Sequence, residues 1–301
     1  MSVESHARLG LGTAQFGTEY GVSNTNGKPS LHEVQAILDL AAHHGVKIID
    51  TAPAYGTSEE VLGKCLADDH PFKIVTKTRP LGNSAVRESH ARGLAETFHE
   101  SLKRLRQKSV YGFLVHHADD LLCEGGEQTF EAMLSLQNQG LVQRIGVSVY
   151  TKSQIDQVLR RFAIDLIQVP LNVFDQRLVR SGHLAILKRR GIEVHVRSVF
   201  LQGLLLMPPE SLNSYFEHAR PRFREYARFL KEKGLTRLEG SLSFVAGLPE
   251  VDAMIVGITS AAEMRQVLEA VTARRLVSAE FARIACDDEK VINPSRWRLV
   301  K

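Results

Sequence analysis

The chain has little cysteine: Cys65, Cys123 and Cys286 are the three in 301 residues. An odd, widely spaced set excludes a disulfide scaffold and any Cys-x-x-Cys metal site, and predicts reduced thiols in the cytoplasm. No apolar run approaches the ~20 residues of a membrane span. The first twenty residues lack a signal-peptide core. Low-complexity segments and domain linkers are missing too. Gly10, Gly12 and Gly17 do not make G-x-G-x-x-G, and there is no P-loop and no H-E-x-x-H. A dinucleotide would therefore need a seat other than the Rossmann turn.

What is present is a globular composition, 44% apolar and 24% charged, enough for one large core. A net charge of +4 suits phosphorylated small molecules and does not demand nucleic acid. The basic stretches 103–108 and 188–190 read as solvated helix faces. By length alone two domains are expected, but (β/α) barrels often exceed about 250 residues as one domain.

Short β-branched runs predict eight strands: Leu9–Thr13, Val46–Asp50, Phe72–Lys77, Tyr111–His116, Arg144–Ser148, Ile164–Val169, Ile192–Arg197 and Ala253–Gly257. Several are apolar on both pleat faces, as in a parallel sheet covered by helices. Between them lie helix patterns. Val34, Ile37, Leu38 and Ala41 fall at i, i+3, i+4, i+7, preceded by a Ser30/Glu33 capping box and closed by Gly45. Ile155 to Phe162 and Met264 to Val271 repeat the spacing. Eight such units predict a closed (β/α)₈ TIM barrel, one domain over 1–301. A loop and helix insertion at about 200–235 is expected to act as a lid, with helices at Tyr215–Lys233 and Thr236–Ala246. A tail at about 274–301 is expected to add a helix.

Polar residues close the strands. Asp50 ends the second, Lys77 the third, His116 the fourth and Ser148 the fifth; Gln168 lies near the end of the sixth and Arg197 ends the seventh. Tyr55 follows in the loop after Asp50. An apolar strand ending on an ionisable group is costly unless that group is paired or used. Asp50 and Lys77 read alone as a rim ion pair, Tyr55 as a packing aromatic, and His116 as a core histidine. Their joint placement on one rim predicts a site. There, an ammonium held by Asp50 is expected to lower the pKa of the Tyr55 phenol and make it a proton donor. His116 adds a second hydrogen bond to the same oxygen. No strong nucleophile is present, so carbonyl reduction with a hydride-carrying cofactor fits best.

The run Ile49-Asp50-Thr51-Ala52-Pro53-Ala54-Tyr55-Gly56, continued by Ser58-Glu59 and Leu62-Gly63, resembles the aldo-keto reductase signature. Val75-Thr76-Lys77, Leu114-Val115-His116, Gly146-Val147-Ser148, the segments 168–172 and 198–203, and Ile255-Val256-Gly257 match in the family's order. The resemblance implies a catalytic tetrad of Asp50, Tyr55, Lys77 and His116, with Tyr55 as acid/base. It implies NADP(H) as the default cofactor and NAD(H) as the alternative. Ser148 and Gln168 would hold the carboxamide. Arg197 would stand in the place of the family's stacking aromatic and set the balance between reduced and oxidised cofactor. Ser198, Phe200, Gln202 and Gly203 would wrap the pyrophosphate; Gly257, Thr259, Ser260 and Glu263 would hold the adenosine end; Thr13 and Asp50 would line the seat.

Two departures stand out. Val149 replaces the asparagine that often follows the family's serine. Gly257 and Glu263 occupy positions where NADP-specific relatives carry cations, leaving Ser260 and Arg265 as partners for a 2′-phosphate. The opening Gly12-Thr13-Ala14-Gln15-Phe16-Gly17, with Tyr20-Gly21 and the segment 24–28, looks like a bacterial subset associated with sugar and surface-polysaccharide pathways. A small carbonyl substrate, sugar-like, is expected, in a pocket built by loops 15–29, 118–126 and 204–215. The protein is expected to be a monomer or small homo-oligomer. Two other readings are a redox-sensing barrel that binds the dinucleotide with little turnover, and a metal-dependent barrel. The second is weakened by the lack of a metal-binding cluster at the strand ends.

Overall fold

The computed structural model describes residues 6–24, 27–82, 85–273 and 276–299. Thr25 and Asn26 of the first loop, and residues 274, 275, 300 and 301 of the tail, lie outside the described residues. Eight parallel strands close in sequence order: β1 (Leu9–Gly12), β2 (Ile48–Asp50), β3 (Lys73–Lys77), β4 (Val110–Val115), β5 (Val142–Ser148), β6 (Leu166–Pro170), β7 (Glu193–Arg197) and β8 (Ala253–Gly257). β1 pairs with both β2 and β8, through Gly12↔Asp50 and Gly12↔Gly257. The helices of seven residues or more are α1 (Leu31–His43), α2 (Ser58–Cys65), α3 (Glu88–Leu105), α4 (Gly126–Asn138), α5 (Lys152–Arg161), α6 (His183–Arg189), α7 (Arg220–Lys233), α8 (Arg237–Ala246) and α9 (Ala261–Thr272).

Successive strand residues face opposite sides, and the molecule has two apolar layers accordingly. Ile48, Val75, Leu114, Leu166, Ala253 and Ile255 pack inside the barrel. Their neighbours Ile49, Ile74, Phe113, Ile167 and Met254 join the larger core under the helices. The rings of Phe98 in α3 and Phe113 in β4 lie 4.7 Å apart in that outer layer.

The expected start of α1 is half right. The Ser30 hydroxyl accepts from the Glu33 N–H (3.2 Å). The Glu33 carboxylate does not return to Ser30. It accepts instead from the Ala261 N–H at the start of α9 (2.5 Å). α9 packs against α1, and its first N–H groups have no partner within their own helix. At the other end Gly45 adopts φ +77°, and the Val46 N–H closes back on the Ala41 carbonyl (2.9 Å).

The long connection after β7 differs from expectation. Three 3₁₀ turns, Leu204–Leu206, Pro209–Ser211 and Ser214–Ala219, precede α7. The expected Tyr215–Lys233 helix is split because Pro221 sits in the first turn of α7; proline suits a helix start and not an interior. The tail is not one added helix either. It runs through the 3₁₀ segment Ser278–Ile284, the short helix Glu289–Ile292 and the turn Pro294–Arg296. Phe281 anchors it between Phe229 (5.1 Å) and Phe244 (5.5 Å). No described helix is long and apolar enough to cross a membrane.

Candidate active site

The pleat builds the site. Two residues above the inner apolar layer, on the same face, stand Asp50 after Ile48, Lys77 after Val75, His116 after Leu114, Gln168 after Leu166 and Gly257 after Ile255. One step up each strand turns a hydrophobic plug into a polar rim.

Lys77 and Asp50 are both buried. Lys77 Nζ donates to Asp50 Oδ1 and Oδ2, each at 2.7 Å, and to the Thr51 carbonyl at 3.0 Å. Gln168 Nε2 donates to Asp50 Oδ1 (2.7 Å). Burial holds the Lys77 ammonium below the ordinary lysine range, against the pull of Asp50. Lys77 Nζ lies 5.0 Å from the centre of the Tyr55 ring. His116 meets that ring edge-on, with centres 5.7 Å apart.

The expected lowering of the Tyr55 pKa does not occur. Burial raises it, the Asp50 carboxylate raises it further, and only Arg197 opposes them effectively. All three ammonium protons of Lys77 are spent on Asp50 and Thr51, so the phenol meets a neutralised pair. Tyr55 therefore keeps its proton across the neutral range. Burial, together with Lys77, His117 and Arg197, pushes His116 down to about 3. Its imidazole is neutral, and its buried Nδ1 has no partner among the described residues.

The motif around Tyr55 is a clamp. Ser58 Oγ donates to the Thr13 carbonyl (2.8 Å), and Thr13 Oγ1 donates to the Asp50 carbonyl (3.0 Å). Glu59 accepts from the Thr76 hydroxyl (2.7 Å) and from Arg104 Nε (2.8 Å). Arg104 thus leaves the solvated basic face that 103–108 suggests. Gly17 and Gly56 let two backbones meet: a Cβ on Gly17 would overlap the Tyr55 carbonyl oxygen, and one on Gly56, at φ +57°, would overlap the Gly17 carbonyl.

A cavity of about 770 Å³ opens over this rim. Asp50, Tyr55, His116, Thr13, Ser148, Gln168, Arg197, Ser198, Phe200, Gln202, Gly203, Gly257, Thr259 and Glu263 all line it. Lys77 does not; it stands behind Asp50. Ser260 and Arg265 do not line it either. Ser260 Oγ instead accepts from the Glu263 N–H (3.1 Å) as the cap of α9. Loop 118–126 contributes nothing to the cavity, and of 204–215 only Leu206 does.

Spacing gave no signal for other lining residues: Tyr150, Arg237, Gln266, and Pro294 and Ser295 from the tail. Tyr150 matters most. The Arg197 guanidinium lies 4.2 Å from the centre of its ring, and Nη2 donates to the Val149 carbonyl (3.1 Å). Gln15 packs where a Gly257 side chain would be. Among the described residues no three His, Cys, Asp or Glu gather as metal ligands.

A model of the aldo/keto reductase family matches residues 8–287. The chain belongs to this family. The aldo-keto reductase YhdN of Bacillus subtilis is 30% identical over 237 residues, 73% of this chain and 69% of that protein. An aldo-keto reductase of Bacillus halodurans, solved in its holo form, has a TM-score of 0.74 at 20% identity, covering 96% of this chain and 95% of that one. The glycerol dehydrogenase of Gluconobacter oxydans has a TM-score of 0.68 at 22% identity, with 97% and 94% covered. As a member of this family, the protein is an oxidoreductase acting on carbonyl and alcohol groups with NAD(P).

The cavity fits such a cofactor. Its volume lies in the range of ligand sites. In the segment 198–203, which lines the cavity through all but Leu201, Ser198, Leu201 and Gln202 hold φ values of 60°, 49° and 55°, followed by Gly203 at 89°. Left-handed backbone at three non-glycine residues is strain that concentrates at ligand clamps.

Proposed function

We propose that this reductase reduces a small polyhydroxylated aldehyde or ketone, with Tyr55 as the proton donor. The observation that carries this reading is that Tyr55, His116 and Asp50 line one cavity, with the buried Lys77 bonded to Asp50 behind it. A bound nicotinamide would supply the hydride to the carbonyl carbon, or take it in the reverse direction. The Tyr55 hydroxyl gives its proton to the carbonyl oxygen as charge develops there. His116, held neutral, donates a hydrogen bond to the same oxygen, which a preorganised site stabilises without reorganisation. Asp50 and Lys77 hold the geometry and cancel each other's charge.

Ser148 and Gln168 would hold the carboxamide. One of the two Gln168 amide protons goes to Asp50, which leaves the second proton and the oxygen for the carboxamide. The wall from Ser198 to Gly203 would take the pyrophosphate, and Gly257, Thr259 and Glu263 the adenosine end. Thr13 lines the seat with its hydroxyl already bonded. A sugar-like substrate is supported by the polar side chains of Tyr20, Ser23 and Asn24, which line the cavity.

The test follows NADH and NADPH oxidation with a reactive aromatic aldehyde and an aldose panel. Tyr55→Phe is expected to lose about a hundredfold or more in kcat with its thermal unfolding unchanged. Full activity in the variant would remove Tyr55 from the chemistry. A preference for apolar aldehydes over every aldose would remove the sugar-like substrate.

A further inference from the structure

We propose that a groove on the outside of the barrel, between α7 and α8, binds a diphosphate-bearing small molecule, and that Arg237 couples this site to the dinucleotide cavity. The groove has a volume of about 510 Å³, within the range of small-ligand sites. It follows from the way α7 is laid down. Phe223, Tyr226, Phe229 and Leu230 are buried on one face of that helix. Pro221, Arg224 and Arg228 fall at i, i+3, i+7 on another face and line the groove. The turn Pro209–Ser211 packs against α7 and adds Pro209 and Glu210 to the lining. Arg237, the first residue of α8, completes it.

Three guanidinium groups thus meet one carboxylate. Arg224 Nε lies 3.8 Å from Glu210 Oε1, with both side chains exposed, and such a pair is worth little in water. Arg228 has no carboxylate partner among the described residues. Arg237 spends Nε on the Met207 carbonyl (3.1 Å), and its two Nη groups have no hydrogen-bond partner among the described residues. Arg224 and Arg228 stand one helical turn apart, so their Cβ atoms are about 6 Å from each other. Guanidinium forks pair with phosphate oxygens two at a time. Two adjoining phosphates answer this set, and the proline rings offer an apolar wall to the body that carries them. Arg237 also lines the dinucleotide cavity, which Arg224 and Arg228 do not. The coupling rests on the dinucleotide seat proposed above; the groove itself does not. A diphosphate in the groove engages the Nη donors of Arg237 and brings like charge toward the pyrophosphate of the cofactor. Each ligand then weakens the other by the same factor.

Direct binding tests this without turnover. Inorganic pyrophosphate is titrated into the intact protein by calorimetry at about 0.15 M salt, where distant surface charge is screened. The double variant Arg224→Ala/Arg228→Ala is expected to lose about tenfold or more in pyrophosphate affinity, with thermal unfolding and NADH affinity unchanged. Saturating pyrophosphate is expected to weaken NADH binding to the wild type about fivefold and then level off, and the double variant should not show that step. Equal pyrophosphate affinity in the two proteins overturns the proposal, because the anion would then sit in the dinucleotide seat. Absence of pyrophosphate binding overturns it as well. Weakening of NADH that grows without limit in both proteins is direct competition and overturns the coupling. Absence of NADH binding overturns the dinucleotide seat and the coupling with it, while the pyrophosphate titration still decides the groove.

Discussion

Two polar clusters stand at the ends of the barrel's strands, a buried one at the upper end and a half-buried one at the lower. At the upper end Asp50, Lys77 and Gln168 form a bonded set against the cavity. At the lower end Glu193, at the start of β7, accepts from the Tyr111 hydroxyl (2.5 Å) and pairs with His195 Nε2 (2.8 Å). Lys73 Nζ lies 4.6 Å from the Tyr111 ring centre. Burial works against the Glu193 carboxylate, but the bonds from His195 and Tyr111 outweigh it and hold its pKa low. Burial and Glu193 push the Tyr111 phenol up to about 12. The two clusters use the same kinds of groups. They differ in access: no lower residue lines the cavity. A polar cluster away from the cavity reads as stability, and one open to it reads as chemistry, in keeping with how this fold divides its two faces.

The sharpest way to break that contrast is to unpair each cluster. Lys77→Met leaves Asp50 buried without its counter-charge. A loss of about 3–5 kcal/mol in urea unfolding is expected, together with a fall in kcat of about a hundredfold or more in the folded fraction. Retained kcat would make the upper pair as structural as the lower one. Glu193→Gln should cost about 1–3 kcal/mol of stability and leave kcat and KM alone; a fall in kcat would mean that the lower cluster reaches the site.

Arg197→Tyr probes the upper rim alone. Removing the cation should change the ratio of oxidised to reduced cofactor affinity several-fold, about 1 kcal/mol, read by titration of both forms. Equal ratios would leave Arg197 as packing on Tyr150. The remaining comparison is the effect of His116 on pH stability. Its folded value of about 3 lies below the ~6.5 of an unfolded histidine. Between those values the unfolded chain binds more protons, so stability falls as pH drops. His116→Gln should lose less between pH 6.5 and 5 than the wild type in paired urea melts. Parallel losses would place the titration elsewhere.

Much of the barrel could be read in advance, because strand and helix signals are local. β8 falls at the expected residues, and the other strands shift by at most two at either end. The cap at Ser30 and the left-handed Gly45 follow from near neighbours alone. Errors enter where a partner lies far away in the chain. Glu33 has a local option in Ser30 and takes Ala261, 228 positions on. Arg104 has a local carboxylate in Glu100 (3.6 Å) and lies closer to the distant Glu59 (2.8 Å). Tyr150 shows no periodicity that would assign it to Arg197.

The sequence by itself determined the eight-fold strand–helix alternation, the polar residues at the strand ends and the Asp50–Tyr55 motif, since each rests on spacing along one segment. Only the tertiary structure decided that Gln168 also bonds Asp50, that Tyr55 keeps its proton, and that Glu263 and Glu33 fill the start of α9. Those outcomes depend on burial and on distances between segments, and neither quantity exists until the barrel has closed.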